Sequence, residues 1–134
     1  MKSNLNNLNN ENPPTASASD IPKNPCFSTA RANITSLVVF ADDGHSYCLA
    51  YAQFLFADRT PNPALEKSPD APPEQMVIHF AQAEIVILGS GLKKLEDEIQ
   101  QSALRFVKSA DRRLAATFNT HLAAVTLTLT KENV

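Results

Sequence analysis

Residues 75–111 read QMVIHFAQAEIVILGSGLKKLEDEIQQSALRFVKSAD. Met76, Ile78 and Phe80 alternate with Val77 and His79, and Ile85, Val86, Ile87 and Leu88 then form a continuous apolar run. Apolar and β-branched residues at this density make strand the expected type. A tight turn near Ala81-Gln82-Ala83 divides the stretch into two strands. That turn lacks Gly or Asn, so one long bulged strand competes with it. Beyond Gly91 the period changes. Leu92, Leu95, Ile99, Ser102, Phe106 and Ala110 fall on one helical face, which predicts an amphipathic helix of about five turns. Ser90 would be its N-cap and Gly91 its first residue. Arg105, Lys108, Arg112 and Arg113 would suit the negative end of its dipole.

Working back from this stretch, residues 58–74 contain five Pro. No helix or central strand survives that density, so a long mobile connection is expected there. Before it, two β-branched and aromatic runs flank Asp43-Gly44, the strongest short-range hairpin signal. With Asp43-Gly44 as a two-residue loop, Asp42 faces His45, Phe40 faces Tyr47, Val38 faces Leu49 and Ser36 faces Tyr51. Both faces of this hairpin are apolar, which predicts a central, doubly covered position or a subunit contact. The second strand is expected to run on through Phe54-Leu55-Phe56. Residues 1–33 are rich in Asn, Pro and Ser and offer little to bury, so they are expected to be a disordered tail. Residues 34–134 would then form a single domain.

After the helix, Leu114, Phe118 and Leu122 recur every four residues, consistent with a short second helix. Val125–Thr130 alternates Leu with Thr as a half-exposed strand does. The predicted order is β-β-loop-β-β-α-(α)-β. This is an α+β class with a mainly antiparallel sheet and one long amphipathic helix packed on one face.

The chain has 134 residues, 43% of them hydrophobic, with net charge −2, no Trp, three Gly and nine Pro. This length suits one domain. Three Gly exclude collagen and multi-glycine phosphate loops, and 12 basic against 14 acidic residues argue against a dedicated nucleic-acid binder. Cys26 and Cys48 make no disulfide framework and read as two free thiols in a reducing compartment. The N-terminus has no apolar signal region and no stretch is long enough to span a membrane, so a cytoplasmic location is expected.

Two local patterns carry chemistry. A strand entering Gly89-Ser90-Gly91 and a helix resembles the start of a dinucleotide fingerprint, but Lys94 replaces the third Gly and a hairpin precedes it. A generic anion site at Ser90, Gly91, Lys93 and Lys94 is the surviving form of that idea, set against a plain strand-to-helix turn. Asp42, His45 and Ser46 lie close together, but a hairpin tip supplies no pocket for a triad, so turn chemistry is favoured. His45, His79 and His121 have no metal-ligand spacing. No catalytic residue, metal or cofactor is expected.

Residues 34–107 resemble small bacterial α+β proteins of uncharacterised function, through DDGHSYCLAY, FAQAEIVILGSGL and LKKLEDEIQQSALRFV. The resemblance implies a compact α+β domain with no assigned activity and transfers no functional residue. The function expected is a non-enzymatic accessory module that binds a protein partner or forms a homodimer, through an exposed sheet edge if the last strand has one. Anion binding at the strand-to-helix turn is the alternative.

Overall fold

A computed structural model describes residues 23–31 and 33–130. Among the described residues it is an α+β fold of eight strands and one α-helix: β1 Phe27–Thr29, β2 Ser36–Phe40, β3 Ser46–Ala50, β4 Phe54–Pro61, β5 Glu74–Phe80, β6 Ala83–Ser90, α1 Lys93–Gln100, β7 Leu104–Lys108 and β8 His121–Leu129. The strands form two four-stranded sheets, ordered β1-β7-β2-β3 and β4-β5-β6-β8. Every neighbouring pair is antiparallel except β2 with β7.

The two sheets and the helix share one core. Leu37 and Val39 of β2, Leu104 and Val107 of β7, Met76 and Ile78 of β5, and Ile85 and Ile87 of β6 are fully buried in it, as are Leu95 and Ile99 of α1. Each such side chain contributes about 1.5–3 kcal/mol of transfer free energy. The Tyr51 hydroxyl crosses this interior and donates to the Leu104 carbonyl at 2.7 Å, and burial pushes its pKa up to about 12.

The stretch at 75–90 folds as two strands joined by Ala81-Gln82, with Phe80 opposite Ala83. The predicted long helix is corrected. It stops at Gln100, and the C-terminal half of the expected segment is β7. Ala103 N–H bonds to Glu98 O and Ser102 N–H to Ile99 O, the two bonds of a Schellman stop, with Ser102 at φ +53° where Gly usually sits. Leu104 and Val107 then serve the core as strand residues; Val107 also flanked the expected helical face, whereas Leu104 would have lain on its opposite side. Gly91 is not the first helical residue; at φ +63° it precedes the helix, and Leu92 occupies the N-cap position.

Other boundaries move for equally local reasons. The short second helix is instead a 3-10 turn at Arg112–Leu114, and Leu122 already belongs to β8. The hairpin register slips by one residue, pairing Leu37 with Leu49 and Val39 with Tyr47. Its loop has three residues, Asp42, Asp43 and Gly44, closed by Gly44 N–H to Ala41 O and Ala41 N–H to His45 O, with Gly44 at φ +94°. A one-residue slip exchanges faces, so Leu37 and Val39 enter the core while Val38 and Phe40 turn outward. β2 is central, but β3 is an edge.

β4 is a separate strand, set off by a 3-10 turn at Tyr51–Gln53, and it runs to Pro61 inside the expected loop. An edge strand tolerates that Pro. The expected tail through residue 33 falls mostly outside the described residues. Its later part is structured: β1 pairs with β7, and the Asn24 amide reaches Thr120 O at 2.8 Å.

Candidate functional site

β8 borders the second sheet, pairing with β6 on one side only. Antiparallel strands alternate the direction of their backbone groups. Thr130 N–H bonds toward Gln82 on the β6 side. Val125 points the other way: its N–H donates to the Asp42 carboxylate at 3.1 Å, and its carbonyl accepts Asp42 N–H at 2.9 Å. Farther back, the Leu122 carbonyl accepts Ala110 N–H. The first half of the outer edge is therefore capped by the first sheet and its loops.

Leu127 and Leu129 share the direction of Val125, and among the described residues nothing bonds their outward groups. Leu129 is 61% exposed. A groove of about 350 Å³, lined by Ala41, Asp42, Asp43 and Val125–Leu127, runs beside this edge. Residues 123–130, Ala-Ala-Val-Thr-Leu-Thr-Leu-Thr, carry no charge and no Pro. The edge was visible in the sequence only as an alternation; its exposure follows from the sheet order.

The strand-to-helix turn is built differently from an open anion cradle. Leu92 N–H donates to the Glu74 carboxylate at 2.9 Å, and the Gly91 carbonyl accepts the Thr120 hydroxyl at 2.8 Å. Lys93 pairs with Asp97 at 2.7 Å and Lys94 with Glu98 at 3.0 Å. The Lys93 ammonium is held above its usual pKa, chiefly by its hydrogen bond to Asp97. An anion here would compete with Glu74 and with both acidic partners. Ser90 makes no hydrogen bond through its side chain among the described residues, and it faces a separate cavity beside His121.

At the hairpin tip, His45 pairs with Asp43, at 3.2 Å through Nδ1, not with Asp42 as expected. The backbone N–H of His45 is the main cause that holds the Asp43 carboxyl below its usual range. Asp42 instead accepts the Ser109 hydroxyl at 2.6 Å as well as Val125 N–H. His79 stacks on Phe56 at 4.1 Å and lies 3.6 Å from both Asp58 and Glu84. His121 is buried and donates from Nε2 between the Ala110 and Asp111 carbonyls.

The basic residues expected at one helix end are dispersed. Arg105 and Lys108 lie on β7, where Lys108 sits over the Phe40 ring, while Arg112 and Arg113 lie on the 3-10 turn. Cys26 is buried, which pushes its thiol pKa up, and Cys48 is exposed; both are free. Among the described residues no group of three or more His, Cys, Asp or Glu is placed to hold a metal ion, and no helix is long and apolar enough to cross a membrane. No protein-family model, curated protein or solved structure matches this chain.

Proposed function

We propose that this domain is a non-enzymatic accessory module that self-associates through the free half of β8. The observation that carries the proposal is the uncapped, uncharged edge at Leu127 and Leu129. Main-chain donors and acceptors at an open edge are a template for another strand. The segment is self-complementary. A two-fold axis through Thr128 sets Leu127 opposite Leu129 of a second copy and Thr128 opposite its twin. Each Leu127–Leu129 pair exchanges two N–H···O bonds, so the contact forms four. It stops short of Val125, where Asp42 already occupies the edge. The exposed Leu129 side chain gains cover, and the small net charge of −2 opposes association little.

Light scattering over a wide concentration range tests the proposal, with the full chain and with Leu129→Pro. Pro at 129 deletes an outward N–H without breaking a bond to β6. The native chain is expected to pass from monomer to dimer and the variant to stay monomeric. A native chain that stays monomeric throughout would sink the self-association.

A further inference from the structure

A second site lies at the far end of the same sheet. The outer-face partners Ser90 and His121 line a cavity of about 400 Å³ together with Gly89. A Cβ on Gly89 would sit 2.0 Å from the His121 carbonyl, so β6 and β8 approach here in a way that only Gly permits. One wall is the Pro-rich loop at Asp70–Pro73 and the other is the turn bearing Arg112.

Both walls are held by internal hydrogen bonds. Asn62, only 4% exposed, ties the ends of the Pro-rich loop: its side chain donates to Pro72 O at 2.9 Å and its backbone N–H to Pro73 O at 3.0 Å. The opposite turn is capped by Asp111, which accepts Arg113 N–H, and is fastened to β8 by His121 Nε2. A preformed concavity of this size falls in the usual range of small-molecule sites, about 300–1,000 Å³.

Apart from His121, the polar side chains that line it make no hydrogen bond or ion pair within the described residues. Glu74, Lys93, Lys94 and Arg113 each have a partner in the protein. Among the described residues, Asp70, Ser90 and Arg112 have none, and all three line this cavity. Arg112 and Ser90 can donate to a carboxylate. Asp70 disfavours a multiply charged anion and favours a ligand that brings its own cation. Ala71, Pro72, Pro73 and Ala115 supply apolar wall.

From these features we infer that the cavity binds a small apolar zwitterion of the α-amino-acid type, with its carboxylate at Arg112 and Ser90 and its ammonium at Asp70. The site is separate from the β8 edge and does not depend on dimerisation.

Amide NMR titration of the full chain tests this with three matched probes: L-leucine, 4-methylpentanoate (no amine) and 3-methylbutylamine (no carboxylate). Leucine is expected to give saturable shifts centred on Ala71, Ser90 and Arg112, with each truncated probe at least about tenfold weaker. Arg112→Ala should abolish the response to leucine and to methylpentanoate. Asp70→Asn should bring leucine down to the level of methylpentanoate. The inference is overturned by any one of three results: no saturable shift with leucine, methylpentanoate binding as tightly as leucine, or a leucine response unchanged in Arg112→Ala. The native-like amide spectrum of each variant reports its folding in the same experiment.

Discussion

Strands β4 and β8 border the same sheet, and their open edges are built in opposite ways. β4 carries Asp58 and Arg59, ends on Pro61 and is interrupted by a bulge at Leu55. Arg59 lies 3.6 Å from Glu96, which ties the strand to α1, and His79 sits between Asp58 and Glu84. Charge, Pro, a bulge and a neighbouring helix are the usual guards against edge pairing. The exposed Leu55 and Phe56 therefore sit on an edge that pairs poorly. β8 has its guards only at its start, where Asp42 and the Ala110 backbone cap it. From Thr126 to Thr130 it has none among the described residues. One sheet thus has a closed side and an open side, and the open side is where association is proposed.

The largest expected effect comes from breaking the attachment of β8 itself. Gly89→Ala places a methyl against the His121 backbone, which cannot yield without parting β6 from β8. A loss of about 3 kcal/mol is expected in a denaturant titration. A change below about 1 kcal/mol would show that the crossing is looser than drawn.

Asp42→Ala acts next. It removes the acceptor of Val125 N–H and Ser109 Oγ–H, and should cost about 1–2 kcal/mol. It also frees the Val125 N–H at the open edge, while the Asp42 N–H still holds the Val125 carbonyl, so association should strengthen slightly in light scattering although the monomer is less stable. A weaker association would place the contact elsewhere.

These two variants also mark what the sequence made legible. The α+β class, the paired strands around Ala81-Gln82 and the alternating end strand were readable because apolar period and β-branching agree there. The helix end was not, because Ser102 takes the left-handed position with no Gly to mark it, and Phe106, Val107 and Ala110 continue the helical period beyond it. The hairpin faces were exchanged because Asp-Gly suits both a two- and a three-residue loop. β1 was hidden in a polar segment whose anchors are Asn24 and a lone buried Cys26. Of the sites, Ser90 was legible as part of a turn. Asp70 and Arg112 come from distant loops with no shared pattern, and only the tertiary fold brings them to one cavity.

The two edges can then be contrasted with one substitution each. Leu129→Pro should abolish dimerisation while changing stability by less than about 0.5 kcal/mol, as expected at a strand end. Leu55→Lys on β4 should leave dimerisation unchanged. Loss of dimerisation with Leu55→Lys but not with Leu129→Pro would reverse the comparison.

The smallest effect is expected at the guard on β4. Asp58→Asn removes one of the two carboxylates flanking His79, a half-exposed pair worth no more than about 0.5 kcal/mol. Thermal melting should barely move, and light scattering should show no new association. New association would mean that this charge is the principal guard of the β4 edge.

Concentration-dependent amide hydrogen exchange tests the open edge of β8 most directly. Protection at Leu127 and Leu129 is expected to rise as the protein is concentrated, with no matching rise along β4. Rapid exchange at both amides at every concentration, or protection growing on β4 instead, would contradict it.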